Sequence, residues 1–364
     1  MTKSSLPPGT MLAGHTVVHV LGQGGFGITY LARSVDGQDK AIKEYFPVDD
    51  AERVDGVRVA ARPGREKRFE LGRAAFLDEA RTLNALPQKP GLVRIEGAFE
   101  KFGTVYALME FIDGETLDKA AEIVLRKRPH IPVMLLSDLL DALLNALDTV
   151  HRVGVLHRDI KPANIMIRRT GQPVLIDFGA ARPITRGSAA VSMFSRRYAA
   201  LEQFPARVTH YKARREHGPE VDIFATSIML YELVSRSLPP DAEERFKTMR
   251  QKGSDTYLPV RLNMQRNRIA AEYPDALLDA IDAGCALFPE DRLQSARDMA
   301  LRMEGFLRAK LEAPIEPSIK PLKPPPAGGG KTRRKKPTLR GPILIGLIII
   351  LLAMAGVLYG IFGI

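Results

Sequence analysis

Cysteine is almost absent from this chain. Cys285 is the only one, so no internal disulfide can form, and the sequence suits a reducing compartment. It lies in LLDAIDAGCALF, an apolar helical pattern, where a buried packing role is expected rather than thiol chemistry. The first ten residues, MTKSSLPPGT, contain no apolar stretch resembling a signal peptide. No internal repeat is found. Large apolar residues are too few between Glu312 and Gly330, EAPIEPSIKPLKPPPAGGG, to build a core. That stretch reads as a semi-stiff linker ending in a glycine hinge.

Positive charge is in excess, but it is not spread evenly. The net charge is +11, and from Leu311 onward eight Lys/Arg against two Glu give +6, leaving +5 for the first 310 residues. The surplus sits at Lys331, Arg333, Arg334, Lys335, Lys336 and Arg340. An apolar tail follows immediately, a placement that suits a membrane flank better than a DNA-binding face. No nucleic-acid partner is needed to explain it. Charge is wholly missing from Ile343 to Ile364, a run of 22 residues, and a helix needs about 20 such residues to cross the hydrocarbon layer. A single transmembrane helix over 342–364 is expected, with the basic cluster and everything before it on the cytosolic side of a cell inner (plasma) membrane. Within that span Gly356-Val357-Leu358-Tyr359-Gly360 is a GxxxG segment, a face on which a homodimer can pack.

The remaining 300 or so residues are an ordinary globular mixture, enough for one large core or two unequal lobes. Residues 16–45 read as strands: TVVHVL, a Gly-rich turn, ITYLARS, a DG turn and KAIKEY. Charge and glycine dominate from Pro47 to about Arg68, and Glu70 to Leu86 has helical spacing. LVRIEGAFE and TVYALMEFI read as a strand pair. After Gly114 the pattern is mostly helical, with NIMIRR and PVLIDF as short strands around a TGQ turn. The fold class is α+β, a small strand-rich lobe joined to a larger helical one.

Gly22-x-Gly24-x-x-Gly27 alone fits either a phosphate cover or a plain β-turn. A dinucleotide-binding loop would open a helix, whereas β-favouring ITYLARS follows here. Lys43, in KAIK on the third strand, reads either as an exposed strand lysine or as a phosphate ligand oriented by a carboxylate, which Glu79 in FLDEARTL supplies. The third constellation is richer. His157-Arg158-Asp159-Ile160-Lys161-Pro162-Ala163-Asn164 is followed, 13 residues after Asn164, by Asp177-Phe178-Gly179. Phosphoryl transfer needs a carboxylate to orient the attacking hydroxyl and accept its proton, which suits Asp159. It needs oxygen ligands for a metal, which Asn164 and Asp177 supply. Lys161 can neutralise charge on the phosphoryl group in flight. Polar loop chemistry alone does not account for all of these in chain order.

With these residues in hand, the chain resembles the eukaryotic-like Ser/Thr protein kinases, most closely their bacterial branch, over residues of about 15–310. The blocks that carry the resemblance are LGQGGFGITYLA, AIKEYFP, FLDEARTL, MEFIDGETL, HRDIKPANI, LIDFGAAR and VDIFATSIMLYEL. The resemblance implies a bilobal kinase domain over 15–311, after an extension at 1–14 and before a linker at 312–341. It implies ATP with Mg²⁺ (or Mn²⁺) as cofactors and Ser/Thr-bearing proteins as substrates. The ATP site would lie under Leu21, Gly22, Gln23, Gly24, Gly25, Phe26, Gly27, Ile28 and Thr29. Lys43 would pair with Glu79, Met109 would be the gatekeeper, and Glu110 to Asp113 the hinge. Asp222 would brace the catalytic loop from a buried helix, and Arg292 would pair with Glu202. Lys161, two places after Asp159, is the Ser/Thr-kinase choice.

With Arg158 preceding Asp159, the resemblance implies control by a phosphorylated activation segment, with Thr185, Ser188, Ser192 and Ser195 as candidates. Ser192 is the favoured phosphosite, and Ser195 is placed to contact Asp159 and Lys161. Three positions depart from the family pattern. Ala200-Leu201-Glu202 stands where Ala-Pro-Glu is usual, Arg197 replaces a small residue, and Leu293 stands where Pro follows the arginine. The 35 residues between Lys43 and Glu79 are also a long connection. A pseudokinase, a scaffold that binds nucleotide or partners without catalysis, would typically lack Lys43, Asp159 or Asp177. A small-molecule phosphotransferase of related fold would lack the Lys161 pattern and the 198–202 segment.

Overall fold

A computed structural model of the chain describes residues 4–86, 89–178, 182–183, 195–205, 217–304 and 306. The chain divides into the units Met1–Pro314 and Ile315–Ile364; the second lies outside the described residues, as do Gly179, Thr185, Ser188 and Ser192. Among the described residues no helix is long and apolar enough to cross a membrane.

The first lobe is a six-stranded antiparallel sheet. Its strands are β1 (Met11–Leu12), β2 (His15–Gln23), β3 (Gly27–Ser34), β4 (Asp39–Tyr45), β7 (Ile95–Lys101) and β8 (Thr104–Glu110), in the order β1-β2-β3-β4-β8-β7. Helix α1, Glu66–Asn84, packs on it through Phe69, Phe76, Ala80 and Leu83, which recur at helical spacing. Glu66 in its first turn and Arg81 in its last complement the helix dipole. The packing is close: a Cβ at Gly72 would lie 1.9 Å from the Tyr45 hydroxyl.

The stretch after Pro47, which sequence leaves without regular structure, contains a hairpin, β5 (Ala51–Val54) and β6 (Arg58–Ala61). Asp55 and Gly56 at its tip both take positive φ, 49° and 73°, a left-handed pair closed by the Val57 N–H on the Val54 carbonyl (3.2 Å) within a three-residue loop.

The second lobe is helical. Helix α2 (Leu117–Lys127) follows the short strand β9 (Gly114–Thr116), which pairs with β11 (Ile165–Arg168). Helix α3, Val133–Arg152, buries Leu136, Leu139, Leu140, Leu143, Leu144, Leu147 and Val150 as one stripe; each such leucine contributes about 1.5–3 kcal/mol by leaving water. At the centre lies helix α4, Glu220–Ser235, in which every residue except Glu232 is buried. A helix buried on nearly every side is packed inside a core rather than laid along its surface. Helix α5, Asp275–Gly284, crosses it so closely that a Cβ on Gly284 would lie 1.9 Å from the Ser227 hydroxyl. Cys285 is fully buried, as its sequence context indicates. Burial pushes its thiol up to about 12, so it is unreactive.

Candidate active site

The catalytic loop is built on one buried carboxylate. Asp222, in the first turn of α4, is fully buried. It accepts hydrogen bonds from the backbone N–H groups of His157 (2.8 Å) and Arg158 (2.7 Å) and pairs with His151 Nε2 at 2.8 Å. Burial pushes this carboxyl up, but the His151 hydrogen bond and charge, with the Arg158 N–H, outweigh it and hold it below the usual carboxylate range. His157 completes the frame. Its Nε2–H donates to the Ile176 carbonyl (3.0 Å), its Nδ1 accepts from the Asp159 N–H (3.3 Å), and its ring packs on Phe178 with centroids 4.6 Å apart. Arg158 and Asp177 both sit at positive φ, 64° and 62°, a conformation that non-glycine residues adopt only when their surroundings enforce it.

That frame brings four groups together. Lys161 Nζ donates to Asp159 Oδ2 at 2.8 Å and to Ser195 Oγ at 2.7 Å. Asn164 Nδ2 donates to the Asp159 carbonyl (2.7 Å) and to Asp159 Oδ2 (3.0 Å), and the Ser195 N–H donates to Asp159 Oδ1 (3.0 Å). The Ser195 contacts read from spacing are therefore present. With its NH₂ committed to Asp159, Asn164 keeps its side-chain oxygen for a metal. Asp177, half exposed, ion-pairs with Lys43, whose ammonium is 5.9 Å from the Phe76 ring on α1. Glu79 lies one helix turn beyond Phe76, half-buried. One amide oxygen and one carboxylate form an incomplete all-oxygen donor set, which fits Mg²⁺ in a site whose remaining ligands are phosphates and water.

The glycine-rich loop is a strand–turn–strand hairpin, with Gly22 opposite Thr29 and Gln23 opposite Ile28. Gly22 and Gly24 would place a Cβ in open space, which leaves the backbone clear to approach phosphates. Gly27 has another reason: a Cβ there would lie 2.3 Å from the Glu44 carbonyl. Ile28 is fully buried in the sheet, so its side chain supports the loop from beneath. Met109 stands opposite Ala41 in the ladder, next to Leu108, which faces Ile42. The Glu110 carboxylate accepts from the Arg94 N–H (3.0 Å) and from Arg168 (2.7 Å), tying the hinge to β11.

The platform beyond Ser195 is anchored in three places. Glu202 and Arg292 form a two-pronged ion pair at 2.7 and 2.9 Å, almost fully buried, with the guanidinium 4.6 Å from the Phe224 ring. Tyr198 donates to Glu232 at 2.6 Å, and burial followed by that carboxylate holds its phenol protonated. Leu201 is fully buried and Leu293 packs on the same core, so at both positions a leucine fills space where the family uses proline. Sequence reasoning missed two further groups. Gln203 accepts from the Ala200 N–H (2.9 Å) and donates to the Arg158 carbonyl (2.9 Å). Arg196 pairs with Asp241 at 2.9 Å and with Glu243. Arg197 is exposed.

A two-lobed domain with a glycine-rich hairpin, a strand lysine and this aspartate-centred loop defines a phosphotransferase of the protein kinase type. Residues 15–301 match the protein kinase domain, and the chain belongs to that family. Among its relatives are the serine/threonine-protein kinase PknH of Mycobacterium tuberculosis, 27% identical over 87% of this chain and 47% of PknH, and the serine/threonine-protein kinase PknA of Nostoc sp., 26% identical over 78% of this chain and 46% of PknA. The chain thus spans about half the length of the curated relatives it matches. A solved structure described as PpkA-294 in its apo form is 31% identical, with a TM-score of 0.65, and is matched over 82% of this chain and 99% of that one.

Proposed function

We propose that this chain is a protein-serine/threonine kinase that transfers the γ-phosphoryl group of ATP to protein hydroxyls. The observation that carries the reading is the Asp159–Lys161–Asn164–Ser195 cluster. In this reading Asp159 orients the acceptor hydroxyl and takes its proton, while Lys161 offsets charge on the transferring group. Lys43 engages the α- and β-phosphates, paired with Glu79 once nucleotide is in place. Asn164 and Asp177 hold Mg²⁺ (or Mn²⁺), which when bound neutralises the phosphate oxygens. Leu21 to Thr29 cover the phosphates, and Met109 and Glu110 border the adenine. The presence of Lys43, Asp159, Asn164 and Asp177 together weighs against a catalytically silent scaffold. The test is incubation of the purified chain with labelled ATP and Mg²⁺, then mass spectrometry of the chain and of a lysate, with Asp159→Asn as control. Phosphoserine or phosphothreonine in the wild type alone is expected; equal labelling with Asp159→Asn would overturn the assignment.

The proposal extends to the tail. The charge-free run 343–364 and the basic flank at 331–340 support a single-pass anchor that keeps the kinase domain at the cytoplasmic face of the membrane. The Gly356/Gly360 face supports pairing of two anchors and autophosphorylation between their domains. A helix-association reporter in a bacterial inner membrane compares residues 331–364 with a Gly356→Ile, Gly360→Ile version, and equal signals rule that face out.

A further inference from the structure

The first lobe contains a buried ion pair that the chemistry above does not use. Glu44, fully buried, follows Lys43 on β4, and its side chain therefore points to the opposite face of the strand. Its carboxylate accepts from the Tyr30 hydroxyl (2.7 Å) and the Tyr106 hydroxyl (2.8 Å) and pairs with Arg53 at 2.5 Å. Arg53 stands on β5, in the hairpin between β4 and α1. Its Nε–H donates to the Ser4 carbonyl and its Nη1 to the Val57 carbonyl, each at 2.6 Å. Its guanidinium lies 5.1 Å from the Phe46 ring. The Leu6 N–H in turn donates to the Tyr30 hydroxyl at 3.0 Å. The N-terminal segment, the hairpin and the lysine-bearing strand therefore meet at one charged knot.

The knot touches the nucleotide-covering loop by a short path. Past the end of β4 the backbone ladder continues onto the loop tip: the Phe46 N–H donates to the Phe26 carbonyl (2.9 Å) and the Val48 N–H to the Gly25 carbonyl (3.2 Å). Gly27 is pressed against the Glu44 carbonyl. Of the β4 contacts that hold the tip, Phe46 is stacked on Arg53, Glu44 is ion-paired to it, and Val48 lies two positions from Phe46. Apolar side chains of the same volume would stabilise this core at least as well as a desolvated ion pair. What such side chains lack is a directional fork that fixes Ser4, Val57, Glu44 and Phe46 relative to one another.

We infer that Arg53 is a positioning residue for the glycine-rich loop, pinning its tip through Glu44 and Phe46. The inference rests on the kinase reading in that the loop is taken to cover ATP. A pinned loop has little freedom left to lose when nucleotide arrives, so part of the ordering cost of binding is met in advance.

The test uses the whole chain and is read first without nucleotide. Arg53→Met alone would strand a buried carboxylate, so the working variant is Arg53→Met with Glu44→Gln, which removes both charges. Amide hydrogen exchange at Phe46 and Val48, whose acceptors are the loop-tip carbonyls, is expected to quicken about tenfold, with helix Glu220–Ser235 unchanged. The dissociation constant of a fluorescent ATP analogue is expected to rise roughly fivefold. Arg53→Lys keeps a cation for Glu44 but cannot span Ser4 and Val57 together. It is expected to give the same acceleration, and it decides the matter if the double variant does not fold. Wild-type exchange at Phe46 and Val48 in a folded variant overturns the inference. Because exchange is measured without ATP, a chain that transferred no phosphate would still give this answer, and the two failures stay separate.

Discussion

Replacing Asp222 by asparagine separates the frame of the active site from its reacting groups. The side chain keeps its shape but offers one acceptor oxygen where the carboxylate offers two, one for the Arg158 N–H and one shared by the His157 N–H and His151. At least one buried N–H then faces an NH₂. A lost hydrogen bond to a charged acceptor costs about 1.5–3 kcal/mol, and an orphaned buried donor about 1–3 kcal/mol more, so a loss of about 3–5 kcal/mol is expected. For a domain of this size that lowers Tm by roughly 6–15 °C. Arg158 relaxes from its positive φ, Asp159 shifts with it, and kcat falls on the order of 100-fold, the usual effect of a 1 Å misplacement. KM for ATP stays within about twofold, since Asp222 touches neither the glycine-rich loop nor Lys43.

The sign of the pH dependence follows from the depressed carboxyl. An unfolded aspartate titrates near 3.9, above the folded group. Its contribution is therefore fully present above about pH 4 and is lost as pH falls through the folded value. The stability gap between wild type and variant should be widest near neutrality and close below about pH 4. Thermal melts across pH, with steady-state kinetics at pH 7, provide the assay. A variant with wild-type Tm and kcat would refute the reasoning.

Lys43→Met and Asp177→Asn are each expected to abolish phosphate transfer, by at least about 100-fold, while Tm moves by only a few degrees; a collapsed melt would make them structural. Glu202→Gln leaves the Arg292 guanidinium buried without its counter-charge and should cost about 3–5 kcal/mol in denaturant unfolding, and a loss below about 1 kcal/mol would contradict the burial argument. Ser195→Ala removes the acceptor that holds Lys161 and should lower kcat by about tenfold with KM for ATP unchanged, with Ser195→Thr restoring it.

The residues assigned to the chemistry were legible because they fall in contiguous blocks whose order is fixed. Asp222 and the Arg292–Glu202 pair were legible only through the resemblance, since nothing local announces a partner 64 or 90 residues away. The hairpin after Pro47 was not legible. AERV and RVAA contain no large aromatic and are laced with charge, so the one signal was the Asp55-Gly56 turn. The Gln203 bond to the Arg158 carbonyl and the Arg196 contacts to Asp241 and Glu243 were likewise hidden, because those partners come from other segments. For Lys43 the expected partner is Glu79, on the helix that follows. Lys43 ion-pairs with Asp177, 134 residues away, a contact that no local pattern announces.

The Glu202–Arg292 pair also has a meaning in time. A chain made from its N-terminus folds as it emerges, and the first lobe, the catalytic loop and Ser195 are all synthesised well before Arg292. Until that arginine leaves the ribosome, Glu202 lacks its buried counter-charge, and the platform is held to the second lobe by contacts such as Tyr198 to Glu232 and Arg196 to Asp241. The nascent chain thus holds Asp159, Lys161, Asn164 and Ser195 before the last charged anchor of the platform, Arg292, is in place.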